Sequence, residues 1–327
     1  MILAGDIGGT KTTLGLFEVR GNRLELQVKQ QFASKEFSSL YGVFKAFQAE
    51  NPMPKIHVAC LGVSGPIIDG RCRTTNLPWD IGILDLQKHL HIDKIHLMND
   101  LEATAYGMLY LSEDQFVDLN TDGRSCNANR AVIAAGTGLG EAMLYYDGTH
   151  YHTIGSEGGH CDFAPVTVQQ DALLNWMRNR YPGHVSYERI LSGTGIINLY
   201  EFLRESGFAE ESASMIDIPP GKDRSEAISQ CALHERDPLC LETLRLFAEI
   251  LGAEAGNLAL KTMSLGGVYI GGGIAPKILD ALTDKHLMNG FTRKGRFEDI
   301  LRSVQVKISL NPETALLGAA YFALDRL

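Results

Sequence analysis

Short apolar runs divided by glycine open the chain. Ile2–Asp6 is such a run, ended by an acid, and Gly8-Gly9-Thr10 separates it from β-type runs over Thr12–Val19 and Leu24–Phe32. Glycine punctuation between runs of this kind predicts a meander of hairpins, not a strand feeding a helix. The period then changes. Leu40, Val43, Phe44 and Phe47 fall at helical spacing and predict a helix over Phe37–Glu50. Ile56–Val63 reads as a buried strand broken by Ser64-Gly65-Pro66. Ile95–Met98 reads as another, ended by Asn99-Asp100 and followed at once by a helical stretch, Leu101–Leu111.

The opening logic recurs in the second half. Ala131–Ala135 predicts a strand, Gly136-Thr137-Gly138-Leu139-Gly140 a turn and Glu141–Tyr146 a strand, the pattern an ancient duplication would leave. The remainder is mainly helical. Leu239–Met263 is its longest stretch, after Pro238 at a first-turn position. Val268–Ile270 is a short strand running into Gly271-Gly272-Gly273. Val304–Leu310 and Thr314–Leu324 close the chain as strand and apolar helix, and Gly207–Arg224, with its Pro219-Pro220-Gly221, predicts an exposed loop.

At 327 residues the chain exceeds a usual single domain, so two domains, or one core with large insertions, are expected. Hydrophobic residues at 45% and charged residues at 21% exclude a disordered chain. Thirty basic against 39 acidic residues leave a net charge of −9 with no basic run. That balance disfavours a nucleic-acid partner and suits a small neutral or metal-complexed substrate. Six cysteines (Cys60, Cys72, Cys126, Cys161, Cys231, Cys240) show no CxxC spacing and no compact Cys/His cluster. They read as reduced, mostly buried thiols, with no structural zinc expected. The start lacks the basic segment and apolar stretch of a signal peptide, and no window of about 18 residues is apolar enough to span a membrane. A cytoplasmic enzyme is expected.

The two glycine turns carry the first candidate chemistry. Glycine lets backbone N–H groups approach phosphate oxygens, and threonine adds a hydroxyl donor. Either turn alone would serve as an ordinary hairpin. Two of them, each after an apolar strand, could clamp a nucleotide's phosphates. There is no GxxxxGK[ST], and no GxGxxG opening a helix, so P-loop and dinucleotide folds are disfavoured. Asp6, beside the first turn, reads as a magnesium ligand, direct or through water, or else as an Asx-turn residue. Asp100 follows a strand, where open α/β sheets place their ligand crevice. It reads as a base for a substrate hydroxyl attacking phosphorus, or as the N-cap of the following helix. Glu157-Gly158-Gly159-His160 can converge on a small polyhydroxylated ligand; metal binding or a core histidine are the other readings of His160. Glu188 alone would pass as a helix-start acid.

Asp6-Ile7-Gly8-Gly9-Thr10-Lys11, Met98-Asn99-Asp100, Ala135–Gly140, Glu157–His160, Ser186–Gly193 and Gly271–Pro276 occur in that order. Together they resemble the bacterial-type glucokinase family, within the sugar kinase and actin-like ATPase superfamily. The resemblance implies an α/β fold of two ribonuclease H-like domains, each with a mixed sheet, closing over a ligand cleft. The small domain would hold residues 1–109 plus 308–327 and the large domain residues 110–307. It also implies ATP-dependent, magnesium-assisted phosphorylation of D-glucose to glucose 6-phosphate in a homodimer. Asp100 would be the base on the sugar's 6-hydroxyl, and Asn76, Asn99, Glu157, His160 and Glu188 would bind the sugar. Gly5, Asp6, Ile7, Gly8, Gly9 and Thr10 would form one ATP-phosphate loop, Gly136, Thr137 and Gly138 the second, and Gly271, Gly272 and Gly273 would lie near the adenosine. The cysteine-rich zinc motif and N-terminal DNA-binding segment of the related ROK proteins do not occur, which favours the zinc-free group and no nucleic-acid partner. A kinase for another hexose or amino sugar, or an actin-like ATPase without sugar substrate, are the alternatives.

Overall fold

The meander forms as the glycine punctuation predicts. β1 (Ile2–Ile7) pairs antiparallel with β2 (Lys11–Arg20), and β2 with β3 (Arg23–Ala33). In the computed structural model, which describes residues 1–51, 54–74, 77–219 and 221–327, the chain divides into two units. The first is Met1–Glu113 with Thr153–Gly155 and Asn311–Leu327; the second is Asp114–His152 with Ser156–Leu310.

In the first unit, α1 (Leu40–Glu50) is followed by β4 (Val58–Val63). A small antiparallel sheet comes next: β5 (Ile67–Ile68), β6 (Arg71–Arg73) and β7 (Asp80–Gly82). Then come α2 (Ile83–Leu90), β8 (Lys94–Asn99) and α3 (Asp100–Met108). The main sheet runs β3-β2-β1-β4-β8, with β1, β4 and β8 mutually parallel. Alternate residues of each strand face opposite sides. Leu3, Ile7, Ala59 and Leu61 pack with Val43, Phe44 and Phe47 of α1. Ile2, Ala4, Val58 and Cys60 pack on the other face with α3 and the C-terminal helix Thr314–Leu324. That C-terminal helix approaches α3 closely: a Cβ on Gly318 would lie 1.8 Å from the Ala103 carbonyl oxygen. Only glycine admits such a backbone approach.

The second unit repeats the scheme. β10 (Arg130–Ala135) pairs antiparallel with β11 (Leu139–Tyr146) and parallel with β13 (Val268–Gly271), as β1 pairs with β2 and β4. β9 (Phe116–Asp118), β12 (Tyr151–Ser156) and β14 (Val306–Ser309) complete a sheet ordered β12-β11-β10-β13-β14-β9. Helices α4 (Val168–Arg180), α5 (Gly193–Glu205), α6 (Ala213–Ile216), α7 (Arg224–Gln230) and α8 (Pro238–Thr262) precede β13. Three short helices follow it: α9 (Leu279–Thr283), α10 (Lys285–Thr292) and α11 (Glu298–Ser303). Leu239, Thr243, Leu246, Phe247 and Ile250 bury α8 on most of its circumference, as a helix apolar all round requires. Pro238 stands in its first turn, where the missing N–H costs nothing.

The structure corrects three local expectations. The stretch 207–224 is not all loop, since α6 lies within it. The last strand is shorter than Val304–Leu310. And although no spacing suggests it, Cys231 and Cys240 come together with Asp237. All six cysteines are free thiols, four of them buried, with Cys126 and Cys161 exposed. Among the described residues, no helix is long and apolar enough to cross a membrane.

Candidate active site

In the first unit two carboxylates meet at the carboxyl edge of the parallel strands. Asp6 lies within β1, paired with Thr13, so it is a strand residue and not an Asx-turn residue. Asp100 follows β8 directly as the first residue of α3. The helix N-cap is Asn99 instead: its Oδ1 accepts from Leu101 N at 2.8 Å, while Glu102 Oε2 accepts from Asn99 N at 3.1 Å. This reciprocal capping box leaves Asp100 at the helix start with its position fixed from both sides. Asn99 Nδ2 also donates to the Gly65 carbonyl at 3.4 Å. Burial, and then the nearby Asp100 charge, push the Asp6 carboxyl up to about 6. A buried acid whose ionisation is opposed by a neighbouring carboxylate charge is a donor that a hard divalent cation would relieve, and oxygen donors suit magnesium.

The first glycine turn, Gly8–Thr10, joins β1 to β2. Gly8 N donates to Lys11 O at 2.9 Å, and Ser34 Oγ donates to Gly8 O at 2.7 Å. Ser34, buried and also bonded to Thr12 Oγ1 at 2.9 Å, pins the turn from below. The sequence reading missed it, since a lone serine after β3 carries no local signal. Gly5 and Ile7 are buried in the sheet, and the Ile7 side chain belongs to the core, so they offer a ligand backbone atoms alone. Asn76 lies outside the described residues.

In the second unit, the Gly136–Gly138 turn between β10 and β11 is held at both ends. Gly136 N donates to Gly138 O at 2.8 Å, and Gly136 O accepts from Gly193 N, at the start of α5, at 3.0 Å. Thr137 is exposed at its tip. Gly271 ends β13, buried, while Gly272 and Gly273 are exposed, and Ile274 N returns to Ala135 O at 3.2 Å. No atom lies within 4 Å of where a Cβ on Gly273 would stand, and at Gly136 the nearest is the Gly273 nitrogen at 4.0 Å. Gly136 and Gly273 therefore border open space, where the backbone of the two turns can approach phosphate oxygens without a Cβ in the way.

Glu157, Gly158, Gly159 and His160 form a tight turn, with His160 N donating to Glu157 O at 3.0 Å. Glu157 and His160 are exposed, so His160 is not a core histidine. Glu188 sits in a second turn, Tyr187–Arg189. Tyr187 N donates to Cys161 O at 3.0 Å, and Asp162 bridges to Ser186, so the two turns lie side by side. His160 and Glu188 both line a cavity of about 350 Å³, shared with Arg180, Tyr181, His184 and Ser186. Glu188 is a helix-start acid, in the first turn of the short helix Tyr187–Arg189, and it does more than that: its Oε2 accepts from Leu139 N at 3.0 Å, tying this turn to the glycine turn.

The family model described as Glucokinase matches residues 3–326. A relative from Nostoc punctiforme named glucokinase is 39% identical, with 99% of this chain and 98% of that protein covered. The solved structure of a glucokinase from an Antarctic psychrotroph superposes with a TM-score of 0.85 at 31% identity, covering 99% of this chain and 98% of that one. A glucokinase from Balamuthia mandrillaris, solved in complex with glucose, shares the fold at a TM-score of 0.80 and 22% identity, over 99% and 93% of the two chains. Two mixed sheets that each carry an antiparallel glycine hairpin beside a parallel strand are those of the actin-like ATPase fold of sugar kinases, and over its whole length the chain belongs to the glucokinase family.

Proposed function

We propose that this enzyme transfers the terminal phosphoryl group of ATP to the 6-hydroxyl of D-glucose. The observation that carries the reading is the pair Asp6 and Asp100, set at the carboxyl edge of parallel strands and close enough for one charge to act on the other. One acid can serve the phosphates while the other serves the hydroxyl. Asp100 accepts the proton that the 6-hydroxyl loses as its oxygen attacks phosphorus. Asn99, Glu157, His160 and Glu188 hold the other hydroxyls and so orient the attacking oxygen, which converts an encounter into an aligned reaction. The Gly8–Thr10 and Gly136–Gly138 turns take the phosphate oxygens, through backbone N–H groups other than those of Gly8 and Gly136, which close the turns themselves, and Gly271–Gly273 lie against the adenosine. Asp6 would hold Mg²⁺, directly or through water, and the bound ion would neutralise phosphate charge.

The test is a coupled assay with purified protein, ATP and magnesium on glucose, mannose, fructose, galactose, glucosamine and N-acetylglucosamine, with a sugar-free control. Turnover on glucose far above the rest supports the reading. Preference for another sugar transfers it to that substrate, and equal ATP consumption without sugar overturns it in favour of an ATPase.

A further inference from the structure

Away from the glycine turns, the second unit gathers Cys231, Asp237 and Cys240. Among the described residues, these three present their ligand atoms within 4.8 Å of one another, and all three side chains are buried. The chain is shaped to bring them there. Cys231 opens a π-helical turn that runs to Glu235, Arg236 takes a left-handed conformation at φ 60°, and Asp237 then caps α8, its Oδ1 accepting from Cys240 N at 2.9 Å. π-Turns are rare and concentrate at functional sites. A fourth donor stands beside them: Cys231 Sγ donates to Glu235 Oε2 at 3.7 Å, and Ser214 Oγ donates to the same oxygen at 2.6 Å. Glu235 is exposed, so the buried group has a way out to solvent.

Two thiols and two carboxylates fit a thiophilic divalent cation. Tetrahedral zinc, with Zn–S near 2.3 Å, sets ligand sulfurs about 3.8 Å apart, so the three donors within 4.8 Å need close by about an ångström, and Glu235, outside that group but beside Cys231 Sγ at 3.7 Å, would swing in as the fourth. A buried carboxylate normally has a cationic partner, yet Asp237 pairs with no Lys or Arg among the described residues. Soft thiolates exclude magnesium and calcium as the occupant. The oriented Ser214–Glu235 bond is the outer support that ligating carboxylates commonly have.

We propose that Cys231, Cys240, Asp237 and Glu235 form a structural zinc site that clamps the start of α8. Binding would displace both thiol protons to solvent, leaving two S–Zn bonds. The test is to load the chelator-stripped full chain with one equivalent of Co²⁺ as a spectroscopic stand-in. The expected result is a thiolate-to-cobalt charge-transfer band with tetrahedral visible absorption, displaced by one equivalent of Zn²⁺. The band should be lost in Cys231→Ser and Cys240→Ser and kept in Cys126→Ser. Zinc should also raise the unfolding midpoint of the wild type and leave that of Cys240→Ser unchanged. No thiolate band in the folded wild type, or an unaltered band in both serine variants, overturns the proposal. So does recovery of Cys231 and Cys240 as a disulfide from freshly purified protein.

Discussion

Glu188 Oε2 accepts a hydrogen bond from the backbone nitrogen of Leu139 at 3.0 Å, so one carboxylate joins the turn proposed for sugar to the turn proposed for phosphate. A Cβ on Gly138 would lie 2.4 Å from that same oxygen, so a larger residue there would push the carboxylate off Leu139. Glutamine at 188 retains an amide oxygen able to accept from Leu139, whereas alanine leaves that buried N–H unpaired. Glu188→Ala is therefore expected to raise KM for both glucose and ATP. Glu188→Gln should raise the glucose KM while leaving that for ATP within about two-fold. A lost hydrogen bond to a charged group corresponds to roughly 10- to 100-fold. Initial rates over a grid of both substrates separate the two patterns, and equal effects of the two variants on ATP would count against the coupling.

Asp100 stands at the head of α3, held by the Asn99–Glu102 capping box. Asp100→Asn keeps the size and removes the proton acceptor. Its kcat is expected to fall by about 10²–10⁴-fold, the usual reach of a general base. Glucose affinity, measured by titration calorimetry without ATP, should stay within a few-fold. Full turnover in this variant would rule Asp100 out as the base.

Much of this was legible because the deciding signals are local. Alternation and the Gly8-Gly9 punctuation specify β1 to β3, and Leu40, Val43, Phe44 and Phe47 specify α1. The start of α3 shows where local signals compete. Asn99 and Asp100 are both good N-caps, and the choice falls on Asn99 because Glu102, three residues on, completes the reciprocal pair. The strands β5 to β7 have two or three residues each, too few for a period of two to register. Ser34 under the first glycine turn, Glu188 on Leu139 and the meeting of Cys231 with Cys240 depend on how the chain returns on itself. Nothing in neighbouring residues announces such contacts.

Gly318 tests how closely the C-terminal helix must approach α3. An added methyl would stand 1.8 Å from Ala103 O, inside any allowed contact, so one helix must shift. Alanine is otherwise the better helix former by about 1 kcal/mol. A net loss of about 1–3 kcal/mol in Gly318→Ala, the usual cost of overpacking, would mean the contact outweighs propensity. The chain has two tryptophans, Trp79 in the first unit and Trp176 in the second. In a Trp176→Phe background, denaturant unfolding followed by fluorescence thus reports the first unit alone. A gain in stability would show that the helices separate at little cost.

Glu141 gives the second unit a pH-dependent weakness. Its side chain is buried with Oε1 lacking a hydrogen-bond partner, and burial, with the Glu254 charge adding, pushes its carboxyl up to about 7. In the unfolded chain it ionises near the ordinary value of about 4.5. A carboxyl raised on folding binds its proton more tightly in the native state. Its cost is therefore absent below pH 4.5, grows as the pH rises from 4.5 to 7, and is fully present above 7. The difference corresponds to at most about 3 kcal/mol. Glu141→Gln removes the charge and keeps the shape, so it should stabilise the second unit at pH 8 and leave it nearly unchanged at pH 4.5. Trp176 fluorescence in a Trp79→Phe background follows that unit through urea unfolding at both pH values. A stabilisation independent of pH would mean that the substitution acts through packing, and equal stability at both would show that Glu141 is already neutralised in the native protein.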